Sequence, residues 1–280
     1  MNKYEVPCTM RTGQECIEEA DSRVVASTIE MADFDENYDI AVIDEAQMVT
    51  DPDRGHSWTK AILGIRAGEI HICMSPAAEQ AIIHLIELCR DDYEIERYER
   101  KTALICEDEP FVFPDDVRKG DALIVFSKKS VLDVAGRLEE QKINASVIYG
   151  SLPPEIRRRQ MHLFNSGRTK VVVATDAIGM GLNLPVRRIV FLQAEKYDGV
   201  SRRPLLVSEI KQIAGRAGRF GIYDSGYVNA MGREELQYIR ERYEAEEDPV
   251  SQVHLGFPQI LLDIEAPMDE LLKIWHDVTP

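Results

Sequence analysis

The chain has 280 residues, 44% hydrophobic and 29% charged, which is room for one large globular domain or two of moderate size. Its net charge of −16 argues against a protein that coats nucleic acid nonspecifically, because phosphate binding draws on Lys and Arg. The five cysteines, odd in number and without Cys-x-x-Cys spacing, argue against a disulfide framework or a structural zinc, and no apolar stretch approaches the ~20 residues that span a bilayer.

In chain order, short β-rich runs alternate with amphipathic helical runs, the pattern of a mostly parallel sheet covered by helices. Residues 1–7 carry neither an apolar signal core nor an Arg-rich transit character, so the expected location is cytoplasmic, or the mitochondrial matrix if a transit segment precedes them. The run 40–43 predicts a buried strand that ends at Asp44. A helix over 59–66, a strand over 69–74 and a helix over 77–90 follow, the last with apolar residues at helical spacing. From 97 to 120 the pattern dissolves into charge around Pro110 and Pro114, and a linker over 101–120 is expected there. It divides a first domain over 1–100 from a second over 121–232. The second holds strands over 122–126, 145–148, 170–174, 188–192 and 226–230. Its helices fall over 130–141, 154–164 and 208–217, with Pro153 and Pro154 suited to a helix entrance. A charged helix over 233–245 and an amphipathic one over 268–276 make a helical extension over 233–280. The first domain opens with only a strand or two before Ile40, and so reads as the later part of a domain.

Chemistry gathers at the strand ends. Asp44-Glu45-Ala46-Gln47 places an acidic pair at the carboxyl end of a strand, where doubly wound sheets hold ligands. In phosphate-hydrolysing folds the first carboxylate helps hold Mg²⁺ and the second accepts a proton from the attacking water. Ser75-Pro76 reads as a helix entrance without assigned chemistry. In Val173-Ala-Thr-Asp-Ala-Ile-Gly-Met-Gly-Leu-Asn183 a strand ends at Thr175-Asp176, and Gly179 and Gly181 shape a turn able to expose backbone N–H groups to an anion. Gln212-Ile-Ala-Gly-Arg-Ala-Gly-Arg219 brings Arg216 and Arg219 together as a fork for phosphate oxygens. Local cation clusters at Arg157 to Arg159, Arg187 with Arg188, and Arg202 with Arg203 read either as a nucleic-acid groove or as solvated faces. The sequence contains no Gly-Lys pair, and hence no phosphate-binding loop ending in Gly-Lys-Ser/Thr.

The runs 44–47, 174–183 and 212–219, in this order and spacing, resemble motifs II, V and VI of superfamily-two DExH/DEAD-type ATP-dependent RNA helicases. The narrower resemblance is to the mitochondrial degradosome RNA helicase family and its bacterial relatives. Asp51-Pro-Asp-Arg-Gly-His-Ser-Trp-Thr59, Val147-Ile-Tyr-Gly-Ser-Leu-Pro-Pro154, Phe126-Ser127 and the dipeptide Thr12-Gly13 match further segments of that family, over about Val6 to Phe257. The resemblance implies an α/β fold of two RecA-like parallel-sheet domains, the first incomplete, with a short helical extension.

It also implies ATP and Mg²⁺ as cofactors and single-stranded or partly duplex nucleic acid, RNA favoured, as partner. By motif, Asp44 and Glu45 serve Mg²⁺ and the attacking water, and Gln47 links nucleotide state to domain closure. Gln212, Arg216 and Arg219 reach the nucleotide, with Gly179 and Asp176 on the cofactor side. Thr12, Gly13, Ser127, Gly150 and Thr175 meet the nucleic acid. An exoribonuclease partner is a further implication, and no membrane association is expected. The family's phosphate loop belongs upstream of Val6 and its helical region beyond Phe257, so both ends read as cut and this stretch alone is expected to be inactive. A helicase-like binding or scaffold module that has lost hydrolysis, and a DNA-directed helicase, remain as alternative readings.

Overall fold

The structure is a computed structural model that describes residues 6–179, 181–257, 261 and 264–278. Met180, inside the glycine-turn run, and residues 1–5, on which part of the leader reading rests, lie outside the described residues. The chain divides into two compact units, one of residues 1–96 with 248–280 and the other of residues 97–247.

The first unit opens with β1 (Cys8–Arg11), β2 (Cys16–Ile17) and β3 (Val24–Ser27), a three-stranded sheet in which β1 lies between antiparallel β2 and parallel β3. A parallel pair follows, β4 (Asn37–Ile43) with β5 (Arg66–Ile72), joined through α1 (Gly55–Gly64), and α2 (Glu79–Cys89) comes after β5. Ile43, Ala46, Val49, Trp58, Ile62, Ile82 and Leu85 form the core of this unit. The expected strand over 40–43 is present but is not buried throughout. Ile40 and Val42 are 58% and 65% exposed, because alternate residues of β4 point away from α1 and α2. The α1 entrance explains the run 51–59. The Asp51 carboxylate accepts the N–H groups of Asp53 and Arg54, and a Cβ on Gly55 would stand 2.5 Å from the Val49 carbonyl oxygen, so only glycine fits.

The second unit is a six-stranded, all-parallel sheet built from β6 (Ala103–Cys106), β7 (Asp121–Ile124), β8 (Ala145–Ile148), β9 (Val171–Ala174), β10 (Arg188–Phe191) and β13 (Ser225–Ala230), in the order β6-β13-β10-β7-β9-β8. Strands covered on both faces need apolar residues at successive positions, and β7, β9 and β10 are buried along their whole length. Leu123, Val171 and Val173 face one core with Val131, Val134 and Leu138 of α3 (Lys128–Glu140). Ala122, Ile124 and Val172 face the other, with Phe164 of α4 (Pro154–Asn165), Ile210 and Ile213 of α5 (Val207–Ala214), and Leu236 and Ile239 of α6 (Arg233–Glu244). A short hairpin of β11 (Glu195–Tyr197) and β12 (Arg202–Pro204) precedes α5.

Three expectations change. The stretch 101–120 is not a free linker, because β6 pairs with β13 at the sheet edge and Phe111 is buried in the second core. The expected extension over 233–280 divides. The α6 helix packs on the second unit, while Val250 and Val253 pack against the first core and the Val250 N–H donates to the Ala77 carbonyl at 2.8 Å. In the same stretch Phe257 meets Trp275 of α7 (Met268–Val278) edge to face at 5.4 Å. The helix expected over 208–217 stops at Ala214, so Arg216 and Arg219 stand on the turn beyond it rather than on helix. Among the described residues no helix is long and apolar enough to cross a membrane.

Candidate functional site

In the first unit the acidic pair closes β4. Asp44 is exposed, and its Oδ1 accepts the Glu45 N–H at 2.9 Å. The Asp44 carbonyl accepts the Trp58 indole N–H at 2.9 Å, which fixes the strand end against α1. Glu45 adopts a left-handed backbone (φ 56°) that turns the chain sharply after the strand. Its carboxylate accepts the Gln47 side-chain amide at 2.6 Å, and the Gln47 Oε1 accepts the Ser75 N–H at 3.1 Å. Gln47 therefore ties the end of β4 to the segment after β5, a role the sequence did not disclose for Ser75. The Ser75 hydroxyl is buried and has no hydrogen-bond partner among the described residues. Burial, and then the nearby Asp44 and Glu45 carboxylates, push the Cys73 thiol up from its ordinary pKa.

A carboxylate pair suits Mg²⁺, which takes few protein ligands and completes its octahedron with water and phosphate oxygens. Among the described residues no group of three or more His, Cys, Asp or Glu could hold a metal unaided. Thr12 and Gly13 form the turn between β1 and β2. The Thr12 hydroxyl accepts the Glu15 N–H at 2.9 Å and donates to the Glu15 carbonyl at 3.0 Å, while the space beside Gly13 is open.

The second unit gathers its predicted residues in two places. Ser127, Gly150 and Thr175 follow β7, β8 and β9, three neighbouring parallel strands, and so share one rim at the carboxyl ends. Ser127 caps α3 by accepting the Ser130 N–H at 3.0 Å, Gly150 is open on its Cα face, and its carbonyl takes Arg157 at 2.8 Å. Thr175 is only 7% exposed and its hydroxyl oxygen accepts the Ala177 N–H, which leaves the hydroxyl proton available to donate.

The other cluster lies on the turn after α5. Arg216 donates to the Gly179 carbonyl, and the Gln212 side chain packs on the Gly179 Cα, where an added Cβ would meet the Gln212 Cγ at 3.4 Å. Gly179, Gln212 and Arg216 are thus brought together. Arg219 lines a cavity of about 260 Å³ with Arg100, Arg216 and Phe220. Among the described residues its side chain has no hydrogen-bond or ion-pair partner. Gly218 carries a φ of 68°, and a Cβ there would stand 2.4 Å from the Gly226 nitrogen. Asp176, expected on the cofactor side, is exposed and binds Lys196 of β11 at 3.0 Å. A carboxylate is a poor neighbour for phosphate, and its visible role is to anchor the loop.

Two matches bear on what this arrangement belongs to. Residues 1–98 match the DEXQ-box helicase domain of Suv3, and residues 104–221 match the helicase conserved C-terminal domain. The chain carries a Suv3-type helicase domain followed by a helicase C-terminal domain. It is 43% identical over 244 residues to the ATP-dependent RNA helicase SUV3L, mitochondrial, of Oryza sativa subsp. japonica, covering 85% of this chain and 33% of that protein. It is 38% identical over 262 residues to the ATP-dependent RNA helicase SUPV3L1, mitochondrial, of Homo sapiens, covering 89% of this chain and 33% of that protein. The chain spans 33–43% of the length of such relatives. The solved structure of S. cerevisiae Dbp5 bound to RNA and ADP BeF3 superposes with a TM-score of 0.61 at 15% identity, covering 88% of this chain and 70% of that one, a likeness of fold.

The second unit carries a charged bracket beside its second cluster that the sequence reading missed. Glu209 of α5 accepts Lys196 at 2.8 Å, Arg203 of β12 at 2.9 Å, and its own helix's Leu206 N–H at 2.8 Å. Burial raises the Glu209 carboxyl, but Arg203, the Leu206 N–H and Lys196 outweigh it and hold the pKa at about 2. Burial likewise opposes charge on Lys196, yet Glu209 and Asp176 outweigh it and push its pKa up. Lys196 thereby links the loop that follows β9 to α5. Its signal in the sequence, lone charges within 195–209, is indistinguishable from solvated charge.

Proposed function

We propose that this chain supplies the ATP-dependent motor core of an RNA helicase, coupling ATP binding and hydrolysis to movement along or opening of nucleic acid. The observation that carries this reading is the second cluster: Gln212 and Arg216 closed on Gly179, with the Arg219 side chain unpaired among the described residues in a cavity beside them. An unpaired, partly exposed guanidinium on a glycine-shaped turn is a group held ready for a phosphate. In the first unit Asp44 would hold Mg²⁺ with the triphosphate, and that ion would neutralise charge on the phosphate oxygens. Glu45 would take the proton of the attacking water, and Gln47, bonded to Glu45 and to Ser75, would report the nucleotide state along the strand ends. The rim of Ser127, Gly150 and Thr175 would take the nucleic-acid backbone through hydroxyl and backbone groups, with Thr12 and Gly13 serving the first unit in the same way. An exoribonuclease partner belongs to the same reading for the whole protein and rests on the resemblance alone.

The experiment is RNA-stimulated ATP hydrolysis by the full-length gene product, repeated with Glu45→Gln. A fall in turnover of roughly 10²-fold or more is expected, the scale on which a positioned general base acts. Unchanged turnover would remove Glu45 from the mechanism. The 280 residues contain no Gly-Lys pair, so by themselves they should bind ATP weakly and hydrolyse it negligibly. Calorimetric titration that returned a Kd near micromolar for these residues alone would contradict that.

A further inference from the structure

The turn that carries Arg216 and Arg219 is held by a third arginine, far away in sequence. α5 ends at Ala214, and the carbonyls beyond a helix end need partners from elsewhere. Arg100 supplies them. Its Nη1 donates to the Gly215 carbonyl at 2.8 Å, its Nη2 donates to the Ala217 carbonyl, and its Nε donates to the Thr102 carbonyl at 2.7 Å. One planar guanidinium thus spans the two carbonyls that flank Arg216 while being locked to the segment that leads into β6. A cation at the carboxyl end of α5 is also favoured by the helix dipole.

The rest of the turn is built to the same tolerance. The Gly218 N–H donates to the Val186 carbonyl at 2.9 Å, and an added Cβ at Gly218 would meet Thr102 Cγ2 at 3.0 Å, so residues 100–102 and 215–218 are packed as one piece. Arg100 also lies just past residue 97, where the chain enters the second unit, and immediately before β6.

We propose that Arg100 is a positioning residue for the phosphate-facing arginines, clamping residues 215–217 so that Arg216 and Arg219 project from a fixed backbone. Its Nε, Nη1 and Nη2 are engaged by the Thr102, Gly215 and Ala217 carbonyls, so it acts through the turn although it shares the lining of the cavity. It acts by removing the freedom of the turn, and because it sits on the segment entering the unit, movement of residues 97–102 is felt directly at the turn. The proposal rests on the reading of Arg216 and Arg219 as nucleotide-facing. Lysine cannot substitute fully, since one ammonium does not reproduce the planar fork that bridges both carbonyls.

The test has two arms. In the 280-residue chain, hydrogen exchange of Arg100→Ala should quicken over residues 214–220 by about tenfold or more, the amides of β7, β9 and β10 staying protected. In the full-length gene product, Arg100→Ala should lower kcat of RNA-stimulated ATP hydrolysis by roughly 10- to 100-fold, the scale of a small misplacement of a catalytic group. KM for ATP should stay within about twofold, as for an interaction expressed only in the transition state. Arg100→Lys should recover part of the loss. Unchanged exchange over 214–220, or loss of protection throughout the sheet, would overturn the proposal, the latter by making Arg100 a merely structural residue. Arg219→Ala is the control. If it abolishes turnover while Arg100→Ala leaves kcat intact, the clamp alone fails; if Arg219→Ala leaves turnover intact, the nucleotide-facing reading fails, and the exchange arm still decides the clamp.

Discussion

Arg216 and Arg219 are interchangeable by composition and spacing, yet their surroundings separate them. Arg216 is bonded to the Gly179 carbonyl, so its guanidinium holds the loop after β9 as well as facing the cavity. Arg219 faces the cavity with no partner among the described residues. In the full-length gene product, Arg219→Ala should therefore abolish RNA-stimulated ATP turnover while leaving thermal stability within about 0.5 kcal/mol, as for surface substitutions. Arg216→Ala should cost turnover and also roughly 1–3 kcal/mol, because the Gly179 carbonyl loses a charge-assisted bond. Turnover assays paired with denaturant melts check this, and equal stability losses in the two variants would show the distinction to be false. The motifs were legible because their residue types and spacings are unusual in combination. Arg100 was not, because its bond to Gly215 bridges 115 positions and nothing local marks it.

At the scale of elements, the hydrophobic runs of β7, β9 and β10 and the helical spacing of α3 announced themselves, since each element's burial follows its own periodicity. The elements that escaped are those whose stability comes from elsewhere. β6 alternates exposed and half-buried residues and is flanked by charge, so only pairing with β13 makes it a strand. The β11–β12 hairpin is short and polar, and ion pairs hold it to α5. That bracket predicts an acid response. The Glu209 pKa is depressed to about 2 in the folded chain, from an ordinary value of 4.5. A depressed carboxyl stabilises the fold fully above its unfolded pKa, and the stabilisation is lost as pH falls from about 4.5 towards about 2. The depression corresponds to on the order of 3 kcal/mol at neutral pH. Glu209→Gln should lower stability at pH 7 and flatten its decline between those pH values, measured by urea melts at stepped pH. A variant whose acid decline is as steep as that of the parent would show that other carboxylates govern it.

At the scale of the whole molecule, a net charge of −16 must be reconciled with the proposed nucleic-acid partner, and the fate of the arginine clusters sharpens the difficulty. Arg188 is buried on Asp121 and Glu107 at 2.7 and 2.9 Å, Arg203 is bound to Glu209, and Arg157 donates to the Gly150 and Leu152 carbonyls. Arg187 stacks over the Tyr227 ring at 5.6 Å. Residues that read as a possible cationic groove are largely devoted to holding the second unit together. What remains on the rim of β7, β8 and β9 is hydroxyl and backbone chemistry with two exposed lysines beside Ser127, Lys128 over the Tyr149 ring at 5.5 Å and Lys129, a set that contacts phosphate without displacing many counterions. Binding of single-stranded RNA should therefore depend only weakly on salt. If about two phosphates or fewer are neutralised, the slope of log K against log salt is shallower than about −1.5 for a single strand. Fluorescence anisotropy of a labelled single-stranded RNA, titrated with the 280-residue chain from about 50 to about 200 mM salt, measures that slope directly. A slope steeper than about −4 would mean that a cationic track carries the binding, and the hydroxyl rim would no longer account for it.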